Sequence, residues 1–257
     1  MTPGFVDCHS HVVPSGDDGA ATIDDGIALC ASAARHGTSV LFATPHVWPH
    51  LPLTHAREAR VREAFALVRA SAGLELRLGW ELTPTRALLG EDPQRYVLEG
   101  TDCVLMEVPF VGPAGLLFEL AELTLAANLQ PLIAHPERTE AVQDRPEVAD
   151  ELAAIGCLLQ VNATSLLARH GEEAAELGWD LLDRRVATLV ASDGHRSTRP
   201  AHLDDAYELS ARRLGEERAL PLFDGTELFA TRTRTASRAE WTAGAATPAR
   251  SGARARG

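Results

Sequence analysis

Asp7-Cys8-His9-Ser10-His11 sets two imidazoles two residues apart, directly behind the apolar pair Phe5-Val6. In an extended strand side chains alternate between faces, so His9 and His11 point the same way. Two imidazoles on one face, where a strand ends, can grip one metal ion. Asp7 shares that face and is placed to hold a ligand in register from behind. A lone His-x-His is as often an ordinary pair of turn residues, but here the construction recurs. Apolar runs end in Ala43-Thr44-Pro45-His46, Gly79-Trp80-Glu81, Met106-Glu107-Val108-Pro109, Ala134-His135-Pro136-Glu137-Arg138, Gln160-Val161-Asn162-Ala163 and Ala191-Ser192-Asp193-Gly194-His195, and Asp17 and Asp18 follow the first run.

Each ending has a plain explanation by itself. A Glu at a strand end is usually just solvated, and Asn162 is a natural cap for a following helix. Together they are too many donors for decoration, and too many for one tetrahedral zinc. They suit two or three ions sharing carboxylates. Imidazole and carboxylate without thiolate fit Mn, Fe or Zn. Such a cluster turns a bridging water into hydroxide at neutral pH and clamps the oxygens of an in-line displacement, which is phosphoester hydrolysis with attack on phosphorus. Arg138 is placed to hold the non-reacting phosphate oxygens, with Arg199 assisting. The plain reading of Arg138 is a surface cation paired with Glu137 or Glu140.

The elements that must carry these residues are seven short apolar runs that read as buried strands: Phe5–His11, Ser39–His46, Leu74–Leu82, Cys103–Phe110, Pro131–Arg138, Cys157–Thr164 and Ala187–His195. Their near-continuous apolar character predicts cover on both faces. Between them the spacing predicts helices over Ala21–His36, His55–Ala72, Leu116–Asn128, Pro146–Ile155, Ser165–Arg184 and Leu203–Leu214. The stretch between Leu82 and Gly100 is mixed, with only a weak helical signal. Strand–helix alternation implies parallel strands and right-handed crossovers. The expected fold is α/β: a closed TIM-like (β/α)7 barrel with a metal site at the C-terminal ends of the strands. A barrel brings every strand end to one mouth, whereas an open sheet has a single switch point.

The chain has 257 residues, enough for one large core. It has no lysine, so every fixed side-chain cation is Arg. Net charge is −12, but residues 232–257 carry six Arg and one Glu, so the remainder sums to −17. An acidic body argues against nucleic acid as the main partner. Residues 1–231 are expected to form one catalytic domain and 232–257 a disordered basic tail, because apolar periodicity stops there. Cys8, Cys30, Cys103 and Cys157 sit in apolar runs with no C-x-x-C pair, which predicts buried thiols. No run is long enough to span a bilayer and no signal peptide is visible, so a cytoplasmic location and no membrane insertion are expected.

Asp7-x-His9-x-His11, Asp17-Asp18-Gly19-Ala20, Ala43-Thr44-Pro45-His46, His135-Pro136-Glu137-Arg138, Gln160-Val161-Asn162-Ala163-x-Ser165-Leu166 and Ser192-Asp193-x-His195 resemble the polymerase-and-histidinol-phosphatase (PHP) superfamily. More narrowly they are similar to its bacterial capsule-associated, manganese-dependent protein-tyrosine phosphatases, in order from Phe5 to about Leu203. The resemblance implies a distorted seven-stranded barrel holding a trinuclear site, with Mn2+ as the expected ion. By motif matching the ligands are His9, His11, Asp17, His46, Glu81, Glu107, His135, Asp193 and His195. Arg138 becomes the phosphate-binding residue, acting with His135 and Asp193, and Arg199-Pro200 resembles a second arginine site. The implied partner is a tyrosine kinase regulating polysaccharide export, with phosphotyrosine as substrate. A small phosphomonoester of the histidinol-phosphate type is the alternative, and a non-catalytic metal-binding module a second. The chain departs in Pro45-His46-Val47-Trp48, where the family often has a second His, at Thr164, where Gly is usual, and at Arg196, where Asn often follows the His. These rim positions bear on substrate choice more than on metal.

Overall fold

The strands form because the apolar runs are short, rich in Val, Leu and Ile, and cut by Gly, Pro or a polar cluster. The computed structural model describes residues 4–196 and 198–230. In chain order the strands are β1 (Phe5–Ser10), β2 (Thr38–Ala43), β3 (His46–Val47), β4 (Glu75–Leu78), β5 (Glu81–Leu82), β6 (Cys103–Glu107), β7 (Gln130–Ala134), β8 (Leu158–Asn162) and β9 (Leu189–Ala191). The helices are α1 (Ile23–Arg35), α2 (His55–Arg69), α3 (Gly115–Ala126), α4 (Glu140–Asp144), α5 (Glu147–Ala154), α6 (Ala163–Leu166), α7 (Glu172–Asp183), α8 (Asp204–Leu214) and α9 (Glu216–Ala219).

All strand pairs are parallel. They run β1-β2-β4 in one sheet and β3-β5-β6-β7-β8-β9 in the other. The two sheets are one circuit with two breaks. β2 stops at Ala43 and resumes as β3 past Thr44-Pro45, since a proline has no N–H to give the ladder. β4 stops at Leu78 and resumes as β5 past Gly79-Trp80. Backbone bonds span the breaks, from Gly79 N to Ala43 O (2.8 Å) and from Glu81 N to Pro45 O (3.2 Å). The far end returns to β1: Asp193 N donates to His9 O (2.9 Å) and His11 N to Gly194 O (2.6 Å), with a parallel bridge at Ser10–Gly194. Counted this way the strands make a distorted seven-membered ring, as the sequence predicts.

Two apolar layers follow from the pleat. Val6, Cys8, Phe42, Leu105, Leu132, Ala134, Leu189 and Ala191 pack together inside the ring. Phe5, Leu41, Leu76, Val104, Met106, Ile133, Leu159 and Val190 face the helical shell. At the ring's N-terminal end Val6 N donates to Phe223 O (2.8 Å), and Leu228, from the helical stretch 226–230, joins the inner cluster and fills its floor.

Several boundaries differ from expectation. The predicted helix 165–184 is two, α6 and α7, because Ala168 (φ +57°) and Gly171 (φ +95°) turn the chain between them. The stretch between Leu82 and Gly100 holds only 3₁₀ turns, Leu88–Gly90 and Pro93–Tyr96, since Gly90 and Pro93 break any longer helix. The short helices α4 and α9 are additions that five- and four-residue segments signal too weakly to predict. α1 starts at Ile23 because Thr22 and Asp25 form a reciprocal capping box, and it ends before Gly37, whose φ of +89° suits glycine. The thiols are buried, and burial pushes those of Cys30 and Cys157 up to about 12. The predicted tail, 232–257, lies outside the described residues. Among the described residues no helix is long and apolar enough to cross a membrane.

Candidate metal centre

The ring's C-terminal rim collects the donors. β1 supplies His9 and, one residue past its end, His11. β3 opens with His46 and β5 with Glu81, and β6 ends on Glu107. His135 follows β7, and Asp193 and His195 follow β9. All are buried. His135 and Asp193 have left-handed backbones, φ +35° and +50°. Such conformations cost roughly 1–3 kcal/mol each and persist where the surrounding structure enforces them. Here they turn two strand ends sharply so that both side chains face the mouth. β1 uses a different device. Its register with β2 is irregular between Asp7 and Ser10, which lets Cys8 stay inside the ring while His9 also reaches the rim.

Glu81 sits at the centre. Its Oε2 lies 2.8 Å from His46 Nδ1, 3.2 Å from His9 Nε2 and 3.2 Å from His11 Nε2, and its Oε1 lies 3.0 Å from His135 Nε2. Asp193 Oδ1 lies 3.5, 3.4 and 3.3 Å from His9 Nε2, His11 Nε2 and His195 Nδ1. Glu107 accepts a hydrogen bond from the Thr83 hydroxyl. The donors form overlapping groups: His9-Glu81-His135, His9-His11-Asp193, His46-Glu81-Glu107 and His11-His46-His195. Within each group one donor atom per residue falls within 4.8 Å of the others.

These residues fit metal ions. His11 Nδ1, His46 Nδ1, His135 Nδ1 and Glu81 Oε2 are buried without any hydrogen bond, although His46 Nδ1 and Glu81 Oε2 nearly touch. Lone pairs brought close without hydrogen-bond geometry are the arrangement a cation satisfies and protein protons do not. The electrostatics agree. Burial disfavours charge on Glu81, yet the surrounding imidazoles, His9 and His46 foremost, hold its carboxyl well below the usual range. Burial likewise opposes charge on His46, and Glu81 overrides it, raising the ring to about 9. Glu107 goes the other way, to about 7, through burial and then the neighbouring charge of Glu81. A site that drives one carboxyl down and another up is short of positive charge.

A second layer fixes the donors. His9 Nδ1 meets Gln160 Oε1 at 3.2 Å, and Gln160 Nε2 donates to Asn162 Oδ1 (2.9 Å). Asn162 Nδ2 donates to Asp193 Oδ2 (3.0 Å). The residue holding the His9 ring is thus Gln160 and not Asp7. Asp7 instead accepts from the backbone N–H groups of His9 (3.3 Å) and Ser192 (3.0 Å), stitching β1 to the end of β9. Glu137 is fully buried and accepts from Asn162 N (3.0 Å) and Ser165 Oγ (2.7 Å), locking the corner after β8.

Of the predicted ligands the structure brings all but Asp17 into these groups. Asp17 stands one step behind: its carboxylate accepts from Gly19 N (3.1 Å) and His46 N (3.1 Å) and lies 3.7 Å from His11 Nδ1. Its neighbour Asp18, not predicted as a ligand, projects between His195 Nε2 (3.2 Å) and His46 Nε2 (3.5 Å). The adjacent pair of carboxylates was the signal, and spacing alone does not say which one faces in. Arg138 does not pair with Glu137 or Glu140. Its guanidinium donates to Asp193 Oδ2 (2.7 Å), and that of Arg199 lies 3.7 Å from the same oxygen. Both line a cavity of about 200 Å³ with Asp18, His46, Glu107, His135, Asp193 and His195. Its remaining walls are Trp48, stacked on His46 (4.2 Å between centroids), and Phe110, stacked on His135 (5.5 Å) and lying under Arg138 (5.1 Å). Periodicity marks neither aromatic as a site wall, because both lie in irregular segments just past the strands, although Trp48 stands in the motif that departs from the family at the rim.

Comparison with known proteins gives a consistent picture. A family model described as capsular polysaccharide synthesis, CpsB/CapC, matches residues 5–226. The tyrosine-protein phosphatase YwqE of Bacillus subtilis is 27% identical over 239 residues, 88% of this chain and 91% of that protein. The tyrosine-protein phosphatase CpsB of Streptococcus agalactiae is 26% identical over 233 residues, 85% of this chain and 95% of the relative. A crystal structure from work on YwqE of Bacillus subtilis and CpsB of Streptococcus pneumoniae, described as unique metal-dependent tyrosine phosphatases, superposes with a TM-score of 0.76 at 25% identity, covering 90% of this chain and 94% of the other. Dihydropyrimidinase from Brevibacillus agri, at 14% identity and a TM-score of 0.57 over 86% of this chain and 69% of its own, shares the fold.

Proposed function

The chain belongs to the CpsB/CapC family of capsular polysaccharide synthesis, and from that premise we propose that it is a metal-dependent protein-tyrosine phosphatase. The observation that carries this is the convergence of Arg138 and Arg199 on one small cavity whose floor is a buried nitrogen-and-oxygen donor cluster. His9, His11, His46, Glu81, Glu107, His135, Asp193 and His195, with Asp17 or Asp18 beside them, would hold the ions, which would supply a Lewis acid and an activated water at neutral pH. Mn2+ is the ion we assign, two or three per chain, with Fe or Zn as substitutes.

The chain's own residues then have separable tasks. Arg138 presents a planar fork to two phosphoryl oxygens and neutralises charge as the bond to the leaving group breaks. Arg199 adds a second cation on the same side. Asp193 and Asn162 orient Arg138 before substrate arrives. Trp48 and Phe110 flank the opening and suit an aryl group, so a phenolic leaving group is stacked while its phosphate reaches the arginines. A phosphoserine side chain has no ring for these walls. Its alkoxide is also a poorer leaving group than a phenolate. The substrate we assign is therefore phosphotyrosine in a protein, namely a tyrosine kinase that regulates polysaccharide export, met in the cytoplasm. Residues 1–231 form the catalytic domain in this reading.

The test is turnover by manganese-loaded protein on a phosphotyrosine peptide, the matching phosphoserine peptide and histidinol phosphate. Phosphotyrosine is expected to lead by at least tenfold in kcat/KM. Equal rates on serine and tyrosine peptides overturn the substrate assignment, and a lead by histidinol phosphate moves the enzyme to small molecules.

A further inference from the structure

A second group of metal donors shares no residue with the mouth. His36 follows α1 directly, His202 lies in the segment leading to α8, and Asp204 is the first residue of α8. One donor atom from each falls within 4.8 Å of the others. His36 Nδ1 lies 2.6 Å from Asp204 Oδ2, and the two imidazoles stack with centroids 3.7 Å apart and planes 16° from parallel. His202 Nε2 meets Ser32 Oγ, on α1, at 2.8 Å. The side chains of His36 and Asp204 are 40% and 32% exposed, so an ion can reach them. Ser32 and His202 also line a cavity of about 450 Å³ beside α1, which leaves solvent access from a second side.

We propose that His36, His202 and Asp204 form a second divalent-cation site, outside the barrel mouth, that takes a late first-row ion such as Zn2+. Two imidazoles and one carboxylate match the three protein ligands of an open zinc site, with water or Ser32 Oγ completing the set. Like the mouth, this site offers imidazole and carboxylate without thiolate, but it has a single carboxylate and so suits one ion, for which the divalent series favours Zn2+ over Mn2+. The alternative is a plain imidazole–carboxylate tether between α1 and α8. In that alternative a half-exposed His36–Asp204 pair makes the link, with His202 stacked on His36 and hydrogen-bonded to Ser32. An ion there ties the end of α1 to the segment running on from Arg199, and so braces the far wall of the mouth.

Full-length protein is first saturated with Mn2+ and then dialysed against micromolar Zn2+. Zinc per chain and the thermal midpoint are measured for wild type, His36→Ala, His202→Ala and Asp204→Asn. Wild type is expected to hold one more zinc ion than each variant and to gain a zinc-dependent rise in midpoint that the variants lack. In Mn2+ alone the phosphotyrosine-peptide rates of all four should agree within twofold. Equal zinc counts and equal midpoint shifts across the set overturn the site. If an alanine variant fails to fold, Asp204→Asn, which keeps the side-chain size and an acceptor oxygen but loses the charge, decides alone. The zinc counts and midpoint shifts that decide the proposal do not depend on the phosphatase assignment.

Discussion

Arg138 shows how the structure changes a reading made from residue types. The sequence offers it two plain partners, Glu137 and Glu140, but the left-handed turn at His135 carries Glu137 inward and leaves Arg138 facing Asp193. Arg138→Ala is therefore expected to lower kcat/KM by roughly 10²-fold, about 2.7 kcal/mol of transition-state stabilisation. Manganese content should hold, because Asp193 keeps its bond from Asn162. Arg138→Lys should recover only part of the loss, since a point charge cannot bridge two oxygens. His135→Ala should lose metal and activity together. Wild-type turnover by Arg138→Ala would leave the mouth without its phosphate anchor. At this scale the histidines were legible, because a His at the end of an apolar run is rare and the pattern repeats. Gln160 and Phe110 were not legible as site residues, and Asp18 and Trp48 were legible only as neighbours of ligand motifs. Their roles depend on which way a loop turns, and no local spacing encodes that.

The elements were legible where periodicity is long and illegible where the chain breaks for function. All seven strand runs exist, but the two carrying His46 and Glu81 are each interrupted just before the ligand, at Thr44-Pro45 and Gly79-Trp80. A run of apolar residues predicts a strand through such points, whereas the missing proline donor and the close approach at glycine stop it. The segment after β9 is tighter still. A Cβ on Gly194 would lie 2.6 Å from Ala201 Cα and 2.7 Å from its backbone nitrogen, distances only a backbone shift can relieve. Gly194 sits between Asp193 and His195, and Arg199 lies on the strand of chain that would move. Gly194→Ala is thus expected to cost about 1–3 kcal/mol by overpacking, read as a lower thermal midpoint. It should also cut turnover at least tenfold by misplacing a ligand and an arginine. Unchanged turnover with a lowered midpoint would mean that the segment tolerates displacement and that Arg199 does not act on phosphate.

For the whole molecule, the class of fold was legible because strand and helix alternate and every strand end is polar, a distribution that only a ring with one mouth explains. The floor was not legible: Phe223 and Leu228 fall in a region of weak periodicity, yet both are fully buried. Metal is expected to be part of stability, since it binds only the folded mouth. At a hundredfold excess over Kd each ion adds about 2.7 kcal/mol. In a chain this size chelation should then lower the midpoint by roughly 5–10 °C for each ion removed, with Mn2+ restoring it. A midpoint insensitive to chelator would mean that the donor cluster is held by its own protons. The chain's C-terminal boundary allows a sharper comparison. The family match ends at residue 226, and apolar periodicity stops near Thr231. A stop after Thr231 removes the basic segment and leaves net charge −17, while sparing Phe223 and Leu228. It should keep midpoint and turnover, apart from a small loss at low salt from added self-repulsion. A stop after Leu222 removes both plugs and opens the inner cluster. Losing a buried Phe and a buried Leu costs about 3–5 and 2–5 kcal/mol when each is cut to alanine, comparable to the whole stability of a domain. That protein should fail to fold, as judged by circular dichroism and by loss of manganese. If instead the stop after Thr231 already lowers the midpoint by more than a few degrees, residues 232–257 pack on the body and the domain extends past 231.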